Sequence, residues 1–238
     1  MNRKLLIGLA LAVGSLLRTS GASANLLVEY SIDGGTSFTT ICSAASGTPC
    51  AGSVTTANDL VMTLQTATSN SPGTAALSDL LSAVASIQNV NASGTASVEL
   101  LIGDTGYSLP VALPSLTFES AIGDTVVVGD PINTAAYFSC IAQSNGQDVC
   151  PGTYTTPTLT PSITTIGSSN ASNSMSVSTL SAPYSMAEEL QITLSAGSQI
   201  NYSASSRLTP TPEPASVTIL GSALVGLGWL GRRRRKTV

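Results

Sequence analysis

Short runs of Val, Ile, Leu and Thr recur along this chain, each closed by Gly, Pro, Asn or Asp, and that rhythm leaves few folds open. β-Branched residues pack well on a pleated surface, and strand side chains alternate between faces, so half-buried strands alternate apolar and polar. Leu26–Ile32 reads as one such strand, stopped by Asp33-Gly34-Gly35, and Ser37–Cys42 as a second. Ser53–Thr68 alternates in part, before the turn Asn70-Ser71-Pro72-Gly73. Ser97–Ile102 and Ser115–Ala121 run into Gly103-Asp104-Thr105-Gly106 and Gly123-Asp124, which read as strand-ending turns. Thr125–Val128, Thr134–Ala142, Met175–Leu180, Glu189–Ala196 and Gln199–Ser205 complete the set, with Pro151–Ser174 as a long irregular connection. The pattern predicts an all-β fold, an antiparallel β-sandwich.

One segment fits two structures. Leu77, Leu80, Leu81, Val84 and Ile87 follow helical spacing, so Leu77–Gln88 reads either as an amphipathic helix or as a strand hairpinned onto Ser97–Ile102.

The two ends have another grammar. Arg3 and Lys4 precede an apolar stretch from Leu5 to Leu17, and Ala22-Ser23-Ala24 supplies small residues. That layout predicts a signal helix in residues 1–24, with Ala22 and Ala24 marking the cleavage site and Asn25 the first mature residue. At the other end, a proline-rich stalk over 209–214 contains Pro212-Glu213-Pro214. Ala215–Gly231 follows without a charge, then Arg232-Arg233-Arg234-Arg235-Lys236 in the tail 232–238. As a helix, 215–231 would reach about 25 Å, slightly short of a hydrocarbon core of about 30 Å. The terminal cations resist entering lipid, which fixes them on the cytoplasmic side as a stop-transfer block. A single C-terminal transmembrane helix is the expectation.

Pro-Glu-Pro, the apolar span and the basic cluster, in that order, resemble the PEP-CTERM sorting signal of Gram-negative bacteria. The resemblance spans residues 212–236, about a tenth of the chain. It implies recognition of Pro212, Glu213 and Pro214 by exosortase, a multi-pass membrane protease that removes the tail. It also implies anchoring in the inner membrane before processing, then a place at the cell surface or in the extracellular matrix. The prolines suit a protease handle, because they hold the backbone extended and keep it out of the membrane helix. Similarity to β-rich proteins of that family favours the strand reading of Leu77–Gln88.

Charge is divided as sharply as hydropathy. Eight of the nine cations lie in the two terminal segments; between them only Arg207 is basic, against all 13 Asp and Glu, a net of −12. That balance holds from Asn25 to Gly231, of which the domain 25–208 is the main part, and such a body repels nucleic acid and anionic surfaces. Cys42 with Cys50 and Cys140 with Cys150 form two close pairs. Export predicts disulfides, and local pairing is the simplest of three connectivities.

Catalysis finds little to use. The chain has no His and its exported part no Lys, so neither Ser-His-Asp nor Ser-Lys activation is available. Glu188-Glu189 is the single adjacent carboxylate pair, and on a strand the two point to opposite faces. Ile-Gly-Asp-Thr occurs at Ile102–Thr105 and Ile122–Thr125, but isolated carboxylates do not make a calcium loop. No pattern calls for a metal or cofactor. A non-enzymatic structural or interaction role is therefore expected, with a carbohydrate-binding or adhesive module for exopolysaccharide as the alternative. The latter is limited by its rings. The only Trp is Trp229, and the tyrosines suffice for a core but leave little for a sugar platform.

Overall fold

A computed structural model of the chain describes residues 25–111, 115–147 and 150–211, with Ser222, leaving aside the side chains of 83–85. The signal segment, Pro212-Glu213-Pro214, nearly all of the apolar run and the basic block lie outside the described residues. Among those residues no helix is long and apolar enough to cross a membrane.

Twelve strands follow one another: β1 (Asn25–Ser31), β2 (Thr39–Ala45), β3 (Cys50–Thr55), β4 (Leu60–Ser69), β5 (Ser78–Asn89), β6 (Thr95–Tyr107), β7 (Leu116–Val128), β8 (Thr134–Ala142), β9 (Tyr154–Thr155), β10 (Gly167–Val177), β11 (Tyr184–Ser195) and β12 (Gln199–Pro210). They form two six-stranded sheets, β2-β1-β6-β11-β8-β9 and β10-β7-β12-β5-β4-β3, here sheets A and B. Every pairing is antiparallel. One core lies between the sheets, and both contribute to it: Leu26, Val98, Leu100, Ile192 and Leu194 from A, and Met62, Ile87, Phe118, Val126 and Ile200 from B.

Several sequence expectations need correcting. Neither Gly-Asp segment is a turn: β6 and β7 run straight through Gly103-Asp104 and Gly123-Asp124. Of the two glycines, only Gly123 is there for space. A methyl group at Gly123 would stand 2.7 Å from Oδ1 of Asn170, which lies over it from the next strand. Both copies of Ile-Gly-Asp-Thr point Ile and Asp inward. Thr125–Val128 is consequently the end of β7 rather than a separate strand. Pro151–Ser174 is only partly irregular, since β9 and much of β10 fall within it; serine-rich β10 hides from a reading based on apolar alternation. Ser53–Thr68 is two strands, β3 and β4, divided at Thr56–Asp59, where Asp59 has φ 61°. Leu77–Gln88 is strand, with Leu80 and Ile87 in the core and Leu81 exposed on the other face. It is not hairpinned onto Ser97–Ile102: β5 pairs with β4 and β12 in sheet B, while β6 lies in sheet A. The 209–214 stalk also starts later than its prolines suggest, because β12 continues to Pro210 and the Thr211 amide donates to the Ser115 carbonyl at 3.0 Å.

Two disulfides secure strand edges. Cys42 on β2 joins Cys50 on β3, with 6.0 Å between Cα atoms, and so ties the rim of sheet A to the rim of sheet B. Cys140 on β8 joins Cys150, 5.7 Å away, just before β9. Loops this short each contribute about 2.5–3 kcal/mol by restricting the unfolded chain.

Candidate functional site: a hydroxyl-lined trough over a buried carboxyl

Alternation decides what sheet B shows to solvent. With Phe118, Ser120, Ile122, Asp124 and Val126 of β7 turned inward, Glu119, Ala121 and Gly123 face out. Their neighbours across the sheet are short: Ser203 and Ser205 on β12, Thr66 and Thr68 on β4, Asn170 and Ser172 on β10. Small side chains in the middle of a sheet leave an open trough of about 650 Å³. Its lining is hydroxyl, amide and methyl groups and the exposed Leu81 side chain, with one carboxylate, Glu119. Beside Glu119, in register on β12, is Arg207, the sole cation between Asn25 and Gly231. Its Nε donates to Oδ1 of Asp79 on β5 at 3.3 Å, the one ion pair among the described residues.

The outer face of sheet A is electrostatically different. Asp33, Glu99 and Glu189 gather there around a second depression of about 580 Å³, which Glu99, Gln191 and Thr193 help to line. Hydrogen bonds from Ser37 and Ser31 hold the Asp33 carboxyl down at about 2. Burial pushes Glu189 up to about 6 and raises Glu99, and each of these two also feels a neighbouring carboxylate. Among the described residues no group of three or more His, Cys, Asp or Glu could hold a metal ion.

Beneath the trough floor lies the least expected group. Glu188 projects from β11 between the sheets and is 1% exposed, while Glu189 projects the other way. Ser82 of β5 donates to its Oε2 at 2.6 Å, and Ser206 of β12 contacts Oε1 at 3.0 Å. Ser206 also lies 2.6 Å from Ser139, which lies 2.8 Å from Ser120. Desolvation pushes the Glu188 carboxyl up to about 7 against the hydrogen bonds that favour its charge. Each serine has only one proton to give. A protonated Glu188 donating to Ser206 would let Ser206 donate to Ser139 and Ser139 to Ser120, a head-to-tail chain linking the sheets. Nearby, Ser69 of sheet B bonds the buried Asp104 of sheet A, and Tyr184 meets Ser78 at 2.9 Å.

The residues expected to matter are distributed unevenly over this geometry. The four cysteines are paired as described. Tyr107, Phe118, Tyr137, Tyr184 and Tyr202 are buried, and Tyr30, Phe138 and Tyr154 are half-buried, so the trough holds no ring. Sequence reasoning missed Glu188 as a core group, although Met186, Leu190, Ile192 and Leu194 share its phase on β11. The trough itself left no motif.

No known protein family and no curated protein matches this chain. Among solved structures, one of TmCBM61 in complex with beta-1,4-galactotriose aligns at 11% identity and a TM-score of 0.35, over 54% of this chain and 71% of that one. A likeness this slight assigns no ligand here.

Proposed function

We propose that this chain is an exported, non-enzymatic surface or matrix protein, in which the disulfide-stapled sandwich serves a structural or interaction role. The observation that carries this reading is the order Pro212-Glu213-Pro214, uncharged span, basic block, preceded by a body almost free of cations. In this proposal the leader directs export, the C-terminal helix holds the protein in the inner membrane, and exosortase acts at the proline-bounded motif. Two disulfides suit an oxidising destination. Against catalysis stand the absence of His and the opposed directions of Glu188 and Glu189. Glu213→Ala or Pro214→Ala is expected to leave the protein unprocessed in the membrane fraction. Immunoblots of membrane and medium read this directly, and normal release of both variants refutes the route.

The trough favours a second reading, a module for exopolysaccharide. Its hydroxyls and the Asn170 amide could hydrogen-bond a neutral glycan, and its length across five strands suits an extended chain. With no exposed ring as platform, affinity would rest on polar contacts and be low. Glycan-array binding lost on Asn170→Ala or Ser203→Trp would promote this reading; binding unchanged by both would place any glycan elsewhere.

A further inference from the structure

Four strand edges bound the two sheets, and three of them are protected. β2 and β3 are short, each sits beside a register irregularity, and a disulfide ties one to the other. β9 is two residues long and held close to β8 by Cys140–Cys150. The fourth, β10, is the exception. It pairs with β7 through eleven consecutive residues without a shift, and among the described residues no backbone hydrogen bond satisfies its other side. Its sequence, Gly167–Val177, contains no charge and no proline. Proteins ordinarily blunt such an edge with Lys, Pro, a bulge or a cover, because its free amides and carbonyls template another strand.

We propose that β10 is the edge through which two copies of this chain join into one continuous sheet. The occupant is a second copy because the edge is self-complementary. Two-fold pairing about Ser172 sets Ser168 opposite Ser176 and Asn170 opposite Ser174, polar pairs that bond across strands. The inward set, Ser169 with Met175 and Ala171 with Asn173, is equally uncharged. Elsewhere a body of net −11 over residues 25–208 repels its own copy, while this strip brings no like charges together. Asn170 and Ser172 also line the trough, so pairing joins two troughs across the two-fold axis. The inference depends on neither the sorting route nor any glycan.

The test uses the full-length chain in mild detergent, with native disulfides verified by intact mass. Ser172→Cys is expected to give a covalent dimer on mild oxidation. Ser168→Cys and Ser176→Cys chains should cross-link to each other in a mixture several-fold better than either does alone. Ser53→Cys, on the β3 edge, should stay monomeric. Ser172→Lys should shift the unmodified dimer to monomer in sedimentation velocity. A wild-type monomer at every concentration, a dimer that survives Ser172→Lys, or equal cross-linking at Ser53 overturns the proposal.

Discussion

The two ends of the sandwich interior are built differently. At the end far from where β12 leaves, Met62, Ile87, Val98, Val126, Ile192 and Ile200 make an apolar core. Polar side chains there serve the loops: Asn89 donates to the Leu194 carbonyl at 2.8 Å, and Asn133 accepts from the Ser195 amide at 2.8 Å. At the exit end, polar side chains sit between the sheets and bond one another, Glu188 with Ser82 and Ser206, Asp104 with Ser69, Ser78 with Tyr184. Apolar contact tolerates small adjustments, whereas a buried network must satisfy every member. The lesson is that one sandwich combines an end held by area with an end held by partners and protonation.

Breaking the apolar end should show the largest effect. Ile192→Ala is expected to cost about 2–5 kcal/mol, read by chemical denaturation, and its cost should be nearly independent of pH. Glu188 should behave oppositely. The folded state keeps this proton up to about pH 7, whereas the unfolded chain releases it near 4.5. Between those values the unfolded state binds fewer protons, so stability falls as pH rises through the window and levels off above it. The loss is about 3 kcal/mol. Glu189, pushed up to about 6, tilts the curve in the same direction. Glu188→Gln should remove the larger part of that slope; an unchanged slope would mean Glu188 is ionised in the fold.

The disulfides sharpen the contrast further. Their sequence separations, 8 and 10, are alike, so chain entropy assigns each about 2.5–3 kcal/mol. Removing Cys42 and Cys50 together should cost at least as much as removing Cys140 and Cys150, because only the former pair joins the two sheets. Any excess measured by thermal unfolding belongs to that junction. The smallest effect concerns the twin motif. Gly103→Ala meets nothing closer than 3.7 Å and should be neutral or slightly stabilising, while Gly123→Ala must displace Asn170 and should cost about 1 kcal/mol. Equal costs would sink the spatial account of these glycines.

The sequence made the apolar end legible and the polar end nearly invisible. β1, β8 and the start of β12 follow from alternation, since their inward residues are apolar. Glu188, Asp104 and Asp124 occupy inward positions in the same phase as apolar neighbours, but a carboxylate in that phase reads as an error in the pattern. Its resolution lies far away: Ser82 is 106 residues from Glu188 and Ser69 is 35 from Asp104. Gly-Asp read as a turn because both residues favour turns, and only the side chain packed over Gly123 reveals why it is there. The trough escaped notice for the same reason, being defined by what its residues lack. β10 is legible only at its end, within Met175–Leu180, because over Gly167–Ser174 Ala171 is the sole apolar side chain in the inward phase.

β12 is a central strand of sheet B, flanked by β7 and β5, and it is the last strand among the described residues. Tension arriving along the chain beyond Thr211 therefore enters two hydrogen-bonded ladders at once, parallel to the strand. Antiparallel rungs lie across the strand axis, so such a pull loads them in shear, many together, instead of peeling them one by one. Were the chain held from its C-terminal side, as proposed, the sandwich would meet a tug there with its stiffest geometry.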